Sequence, residues 1–283
     1  MKITLNILLL LILFQGHAQN LVPNGDFEQY DGCPSQYAQL DSASYWFNPS
    51  TYPGAQTGSP DYFNVCATLW VGVPNNMIGY QTAHSGVGYA GLILWGDTAF
   101  YDNNREYLEV ELSSPLEMDS CYHFSAFINL GNYSRFSTDT IAVHFSDTII
   151  QGINNWYPID VSPHISYDGG MLLDTVNWTL FEGNFKASGG ESYLIIGNFN
   201  DDLNTNSMEV DPCCEPAAYF LIDDVSLIKT SCPSTVGINE VQLDEKELIK
   251  IIDVTGRETH VTPNTLLLYI FSDGTIEKVF IVE

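Results

Sequence analysis

Hydrophobic and polar positions alternate over short stretches in the central part of the chain, and these stretches are rich in β-branched and aromatic residues. Clusters of Gly, Pro, Asn and Asp separate them, and no segment sustains the helical period of about 3.6 residues. Alternation with closely spaced turn residues is typical of antiparallel strands. The pattern therefore predicts an all-β domain rather than a series of β-α-β units. The predicted strands cover residues 106–112, 122–130, 140–145, 178–185, 193–198 and 219–228.

Residues 20–101 contain few clear strand patterns but many Gly, Pro, Tyr and Trp residues. Long connections of this composition in a folded domain run over the surface and often carry function. We therefore expect long ordered loops that lie over a β-sandwich.

The composition changes at residues 231–239, where Cys, Pro, Ser and Gly interrupt the strand pattern and indicate a linker. Residues 240–283 form a second β-rich module, with turns predicted at Thr255-Gly256 and at residues 272–274. A unit this small buries little core by itself, so we interpret it as an appendix to the main domain. Its predicted strands cover residues 248–254, 266–271 and 276–282.

The amino terminus has the pattern of a signal peptide. Lys2 precedes an apolar run over residues 7–14, and Gly16 and Ala18 are small residues at the positions that a cleavage site requires. Residues 1–18 are therefore predicted to be removed before Gln19. The apolar run is shorter than the ~20 residues that span a bilayer, although an uncleaved anchor is the alternative. No later segment is apolar enough to span a membrane, so the mature chain is expected to have no transmembrane segment.

An even number of cysteines, six in all, in an exported chain favours disulfides. Cys33 and Cys66 flank an aromatic, Pro-rich stretch and are predicted to pair. Cys121 opens a predicted strand and Cys232 follows the last strand of the same region, which makes them the next plausible pair.

The two remaining cysteines, Cys213 and Cys214, are adjacent in the chain. A vicinal bridge is strained, so each could instead pair elsewhere, and the sequence leaves their state open. A thiolate zinc site would require CxxC pairs, and the sequence contains none.

The composition restricts the classes of partner. Hydrophobic residues make up 45% and charged residues 16% of the chain, which excludes a disordered acidic tail or a coiled coil. The 35 acidic residues against 9 basic ones give a formal net charge of −26. Such a surface repels nucleic acids and anionic membranes, and it favours cations or neutral ligands.

Exposed aromatic rings among polar side chains are candidates for carbohydrate binding, because a flat ring can stack on the face of a sugar. Trp70 and Trp95 lie beside turn residues and are the best candidates for exposed platforms. Tyr101 is a further candidate ring in the same aromatic region, and Arg105 could bind the sugar hydroxyls. The alternative for each ring is a place in the core, since aromatic residues bury large areas.

The sequence contains no recognisable catalytic motif. It has no G-x-S-x-G or H-E-x-x-H segment, and the spacing of its acidic residues selects no carboxylate pair. His84 beside Ser85 could be drawn into a hydrolytic triad, but no motif connects a nucleophile to that histidine. A protein without catalytic activity is therefore expected, and a hydrolase with an unrecognised site is the less favoured alternative.

The C-terminal module carries a D-x-x-G-R-E-T turn followed by a Y-I-x-x-D-G-T-x-E-K hairpin. It resembles the type A sorting domain of the type IX secretion system of Gram-negative bacteria. The resemblance implies that the secretion machinery is a partner and that the protein is secreted or held on the outer cell surface. The matching positions are Asp253, Gly256, Arg257, Glu258, Tyr269, Asp273, Gly274 and Lys278.

Residues 20–28 (NLVPNGDFE) and 220–227 (FLIDDVSL) resemble the first and last strands of carbohydrate-binding modules with the galactose-binding-like jelly roll. This resemblance implies a jelly-roll β-sandwich over residues 19–230 and an extracellular glycan as ligand. It also implies a structural calcium ion held by Glu28 and by Asp223 or Asp224, which are hard oxygen ligands of the kind calcium prefers. A structural or adhesive surface protein without a glycan site is the alternative function.

Overall fold

The computed structural model describes residues 19–50, 58–99, 102–154, 157–232, 247–272 and 274–282. The predicted signal peptide and most of the predicted linker lie outside these described residues, as do Tyr101 and Asp273. The chain divides into two compact units, Met1–Cys232 and Pro233–Glu283. No helix in the described part of the chain has the length and apolar character that crossing a membrane would require.

The regular secondary structure of the first unit is almost entirely antiparallel β-strand. The strands in chain order are β1 (Trp46–Phe47), β2 (Asp61–Asn64), β3 (Asn75–Asn76), β4 (Gly79–Tyr80), β5 (Gly88–Gly96), β6 (Tyr107–Glu111), β7 (Cys121–Leu130), β8 (Phe136–Thr138), β9 (Ala142–Ser146), β10 (Ile165–Ser166), β11 (Thr179–Lys186), β12 (Tyr193–Gly197), β13 (Ser207–Glu209) and β14 (Ala217–Thr230). Short 3-10 helices cover Leu40–Ser42, Leu69–Val71 and Asp202–Asn204.

The strands form two five-stranded sheets. The first sheet has the order β1-β6-β12-β9-β10, and the second has the order β11-β7-β14-β5-β2. Strands β3 and β4 form a separate small hairpin, and β8 pairs with β13. The architecture confirms the predicted all-β sandwich, because both antiparallel sheets contribute residues to one shared core.

The main core lies between the two sheets and is built by alternate residues of their strands. Val110 of β6 and Leu194 of β12 come from the first sheet, and Leu92 of β5, Phe124 of β7 and Phe220 of β14 come from the second. All five side chains are fully buried. Because successive residues of a strand point to opposite faces, the side chains between these core residues lie on the outer faces of the two sheets.

The outer face of each sheet is also covered. Tyr89 and Tyr219 of the second sheet pack with Val71 and Ile78 of the preceding loop in a separate cluster. On the first sheet, Tyr107 packs with loop residues such as Ile159. The long loops therefore lie over the sandwich as expected, and they bury apolar residues on both of its outer faces.

The full length of one central strand is not evident from the sequence. β5 lies inside residues 20–101, which were predicted to be mostly loop, and it pairs with both β2 and β14. Eight of its nine residues are buried, because one face meets the main core and the other meets the covering loop. A strand buried on both faces loses the alternation by which half-buried strands are recognised.

The disulfides include both predicted pairs. Cys33 is bonded to Cys66, and Cys121 is bonded to Cys232. The second bond joins the first residue of β7 to the residue that lies just after β14, and these two strands are neighbours in the sheet. The remaining pair is the vicinal disulfide Cys213–Cys214.

The second unit contains three antiparallel strands, β15 (Leu248–Asp253), β16 (Leu266–Phe271) and β17 (Ile276–Phe280), in sequential order. Leu267 is the one fully buried apolar side chain among its described residues, which agrees with the small core expected. The Asp253 carboxylate accepts hydrogen bonds from the backbone N–H groups of Thr255 and Arg257, at 2.8 and 3.0 Å. Gly256, with φ +85°, completes this turn, so Asp253 and Gly256 have clear structural roles.

The disulfide between Cys121 and Cys232 is expected to stabilise the first unit, because it closes a chain segment with a sequence separation of 111 residues. Closing a loop of this length removes much of the conformational freedom of the unfolded chain. The double substitution C121A/C232A should therefore lower the free energy of unfolding by about 2–4 kcal/mol. Urea denaturation followed by tryptophan fluorescence measures the change, and an unchanged midpoint would contradict the expectation.

Candidate functional site

A cleft of about 500 Å³ opens on the outer face of the second sheet. Residues of β2, β5 and β14 contribute to it together with several loops. Its lining combines aromatic rings, an apolar wall and polar groups. The lining residues are Tyr37, Ser59, Asp61, Trp70, Met77, Ile78, Ile93, Tyr133, Glu215 and Tyr219.

Trp70 is on this cleft and is 57% exposed, as predicted for a platform residue. It lies in the 3-10 helix Leu69–Val71, which is held by a hydrogen bond from the Met77 N–H to the Trp70 carbonyl at 2.9 Å. Val71 is fully buried in the cluster beneath, and Leu69 adopts a φ of +62°. The turn thus buries one apolar side chain and leaves its neighbouring indole at the surface.

Two tyrosines complete an exposed aromatic rim. Tyr37 is 59% exposed and Tyr133 is 53% exposed. Tyr133 is positioned by the backbone, because its carbonyl accepts a hydrogen bond from the Glu215 N–H at 2.9 Å. The Arg135 N–H donates in turn to the Glu215 carbonyl at 2.8 Å. This pairing places Tyr133 and Glu215 side by side on the cleft.

Asp61 is the most deeply buried polar side chain of the lining. One carboxyl oxygen accepts a hydrogen bond from the Ala38 N–H at 2.6 Å, and the other makes a very short contact with the Tyr219 hydroxyl. Burial, with a further contribution from the nearby Glu106, raises the pKa of Asp61 to about 8. Asp61 is therefore mostly protonated at neutral pH.

Glu106 lies behind this cleft and is also buried. Its Oε1 accepts hydrogen bonds from the Ser59 N–H at 2.5 Å and the Ser59 hydroxyl at 2.8 Å, and its Oε2 accepts one from the Ile93 N–H at 2.8 Å. Burial raises the pKa of Glu106, and the charge of Glu215 adds to the shift. The pKa of Glu215 is itself raised by partial burial.

The prediction of Trp95 as an exposed platform is wrong. Its side chain is only 6% exposed and packs edge-on against Phe136 within the main core. The reason is an irregularity in β5: Ala218 of β14 faces Trp95 and the next residue, Tyr219, faces Ile93, so Leu94 has no partner. The extra residue changes the side to which Trp95 points, and both Leu94 and Trp95 enter the core.

Arg105 is also misassigned as a ligand-binding residue. It is fully buried, and its Nη2 atom forms an ion pair with Asp202 at 2.8 Å. Nη1 donates to the Asn104 carbonyl at 2.9 Å and Nε donates to the Asn200 carbonyl at 3.2 Å. Its hydrogen-bonding capacity is therefore used in holding two loops together. The fourth predicted ligand residue, Tyr101, lies outside the described residues.

The predicted calcium ligands gather around the loop before β5, where each is engaged by protein donors. Glu28 accepts hydrogen bonds from the backbone N–H groups of Val87 and Gly88, at 2.6 and 2.9 Å. Asp223 accepts from the backbone N–H groups of His84 and Ser85, at 2.8 and 3.2 Å. Glu28, in the segment before β1, and Asp223, in β14, thus hold the same loop through their carboxylates.

Asp224 binds the side chains of that loop. Its oxygens contact His84 Nδ1 at 2.5 Å and accept a hydrogen bond from the Ser85 hydroxyl at 2.8 Å. Because Ser85 donates to the carboxylate and not to the imidazole, these three residues do not form a nucleophile-base relay. The His84 ring instead stacks on Phe127 with a centroid distance of 3.6 Å.

Glu28, Asp223 and Asp224 do not form a shared oxygen cage in this arrangement. Among the described residues, their ligand atoms are not gathered within 4.8 Å of one another as a group of three. Burial, followed by the charge of Asp224, raises the pKa of Asp223 to about 8. Calcium binding by these residues stays a prediction, which chelation followed by a thermal melt would test.

The raised carboxyl pKa values predict that stability falls as pH rises. Native Asp61 and Asp223 keep their protons up to about pH 8, whereas the unfolded chain loses them near the ordinary value of 3.8. Between these values the native state binds more protons, so the free energy of unfolding should decrease with increasing pH. From about pH 5 to about pH 8 we expect a loss on the order of 1 kcal/mol or more.

The substitution Asp61→Asn should reduce this pH dependence, because the amide keeps an acceptor for Ala38 and cannot ionise. Asp26→Asn removes an exposed carboxyl outside the cleft and serves as the matched control. Urea denaturation at several pH values measures both. A free energy of unfolding that rises with pH over this range would contradict the prediction. So would an Asp61→Asn variant whose free energy of unfolding depends on pH as steeply as that of the wild type.

No protein-family model and no curated protein matches the chain. Among solved structures, it is similar to a cleaved adhesin domain of Lys-gingipain from Porphyromonas gingivalis, with 15% identity and a TM-score of 0.36 over 74% of this chain and 96% of that one. It is also similar to the CBM22-1-GH10 modules of a Clostridium thermocellum xylanase, with 14% identity and a TM-score of 0.35 over 65% and 26% of the two chains. A third is a CBM22-1 xylan-binding domain from Paenibacillus barcinonensis, with 11% identity and a TM-score of 0.34 over 66% and 95%. With identities and TM-scores this low, the function proposed below rests on the residues of this chain.

Proposed function

We propose that the protein is a non-catalytic, carbohydrate-binding protein of the cell exterior, and that the cleft around Trp70 holds the sugar. The observation that carries the proposal is the exposure of three aromatic rings, Tyr37, Trp70 and Tyr133, on one cleft that also presents polar groups. Several exposed aromatic rings gathered on one cleft are typical of a surface that binds a ligand or a partner.

The chemistry of the cleft suits a sugar. A pyranose ring has an apolar face formed by its C–H groups, and this face can stack on the Trp70 indole. The hydroxyl groups at the ring edge need hydrogen-bonding partners, which the Tyr37 and Tyr133 hydroxyls and the Glu215 carboxylate can supply. The cleft volume of about 500 Å³ is within the usual range of ligand sites.

The environment of the buried acids supports binding without hydrolysis. Glycoside hydrolysis needs two carboxyl groups that reach the sugar from either side of the scissile bond. Asp61 and Glu106 are each only 2% exposed, and the oxygens of both are engaged by donors from the protein. Glu215 is the one lining carboxyl at the surface, so a reacting pair is not presented to the cleft.

For export, we propose the type IX secretion system, with the module after Cys232 as its sorting signal. The support is the order of the motif residues in the sequence and the turn that Asp253 and Gly256 form at the end of β15. Gly274, with φ +81°, lies in the second turn of the motif, between β16 and β17. The motif thus contributes two turns of a three-stranded sheet that follows the predicted linker.

Glycan binding should depend on Trp70. The substitution Trp70→Ala removes an exposed ring, so we expect loss of binding to a panel of soluble glycans and insoluble polysaccharides with little change in melting temperature. Trp95→Ala should behave differently, since the loss of a buried ring costs about 3–5 kcal/mol of stability. Isothermal titration and thermal melts of the mature chain separate the two effects.

Tyr157→Ala is the control for Trp70→Ala, because Tyr157 is an exposed aromatic residue that does not line the cleft. It should bind glycans as the wild type does. If the folded wild-type protein binds no glycan, the adhesive or structural alternative replaces this proposal. If it cleaves chromogenic glycosides and one carboxylate substitution abolishes the turnover, the non-catalytic function is refuted.

Export should depend on the C-terminal module. In a host that has the type IX secretion system, the full chain should reach the culture medium or the cell surface, whereas a chain ending at Cys232 should stay in the periplasm. Asp253→Ala in the full chain should have a similar effect because it removes the turn contacts, and Glu247→Ala, outside the motif, is the matched control. External localisation of the truncated chain would refute the sorting role.

A further inference from the structure

We propose that the cleft selects saccharides that carry free, protonated amino groups over neutral ones, with Glu215 as the residue that pairs with the amine. The inference rests on the proposed carbohydrate-binding function and specifies the class of sugar. It also implies that saccharides with carboxylate or sulfate groups are rejected.

The first support is an imbalance of charge at the cleft. Glu215 is the exposed acid of the lining, whereas Asp61 and Glu106, which lies directly behind Ser59, are buried and have raised pKa values. Within the described parts of the chain, none of the residues that line this cleft is a lysine, an arginine or a histidine. The negative potential of this site is therefore not neutralised by its own walls.

Arg135 is paired with Glu215 through the backbone, but its guanidinium group binds a different acid. Arg135 donates its backbone N–H to the Glu215 carbonyl, but its guanidinium forms an ion pair with Glu209 at 2.8 Å and lies over the Phe136 ring. The ion pairs found among the described residues do not include Glu215. Its carboxylate is at the surface and available to a ligand.

The aromatic rim adds attraction for a cation. The faces of Trp70, Tyr37 and Tyr133 carry the negative side of the ring quadrupole, which attracts a cation that lies within about 6 Å of a ring centroid. A sugar that stacks on Trp70 with an ammonium substituent near Glu215 would use the rim and the carboxylate together. A neutral sugar uses the ring face alone.

The carboxylate also discriminates against the other classes of sugar. A neutral sugar that covers Glu215 removes water from its charge and supplies only hydroxyl hydrogen bonds in return. A uronic acid or a sulfated sugar brings a like charge to a site that contains no cation, so it is repelled. Because Asp61 is mostly protonated at neutral pH, the exposed charge that makes this selection is that of Glu215.

The test compares three soluble oligosaccharides of matched length: a glucosamine oligomer with free amino groups, its fully N-acetylated counterpart and an oligogalacturonate. Binding to the mature full chain is measured by isothermal titration at several pH values from weakly acidic to neutral, because the amines must be protonated while the Glu215 carboxyl is ionised. The free-amine oligomer should bind about five- to tenfold more tightly than the N-acetylated one. The preference should shrink at high salt, and the oligogalacturonate should not bind.

Glu215→Gln removes the charge and keeps the size of the side chain, so it should bring the two glucosamine oligomers to equal affinity. Glu111→Gln is the matched control, because Glu111 is an exposed acid at the end of β6 and does not line the cleft. It removes the same charge from the protein and should keep the wild-type preference. The melting temperatures of both variants verify that they fold.

The outcomes separate this inference from the function on which it rests. Equal affinity of the wild type for both glucosamine oligomers, with binding still lost in Trp70→Ala, would overturn the selectivity and leave a neutral-sugar site. A preference that persists in Glu215→Gln would also overturn it. If the folded protein binds none of the oligosaccharides and no glycan of the wider panel, the carbohydrate-binding function itself fails.

Discussion

The burial of the second sheet on both of its faces is the constraint on which the rest of the structure depends. Strand β14 lies at its centre, pairs with β7 and β5, and sends Phe220 into the main core and Tyr219 into the outer cluster. An apolar outer face requires a cover. The loop that carries Val71 and Ile78 provides it, and the cleft opens where this cover and the other loops leave the sheet exposed.

The same constraint explains the unusual number of buried acids. Asp61 lies on the edge strand β2, and its side chain is on the face that the loops cover, so it is buried without a cation and holds the loop through the Ala38 N–H. Asp223 does the same for the loop at His84. In a chain with few basic residues, backbone N–H groups take the place of lysine and arginine as partners of buried carboxyls. The consequence is a native state that prefers to retain its protons.

The sequence predicts much of this fold but little of the site. Alternation identified the half-buried strands such as β11, and the positions of the cysteines indicated the pairs Cys33–Cys66 and Cys121–Cys232. It did not show the full extent of β5, which is buried on both faces, or the extra residue that turns Trp95 into the core. Those features depend on contacts between distant segments.

The sequence does not predict the cleft as a whole, because the cleft also depends on contacts between distant segments. Trp70 was predicted as a platform, but its partners Tyr37, Tyr133 and Glu215 come from remote segments that only the folded backbone brings together. The Cys33–Cys66 bond encloses Tyr37, Ser59 and Asp61 in one covalent ring, so three residues of the cleft have their relative freedom restricted before any ligand arrives. The relative positions of these residues are therefore restricted only after Cys33 and Cys66 have been oxidised to the disulfide. The chain would carry all its residues from synthesis but would complete their preorganisation only in an oxidising compartment.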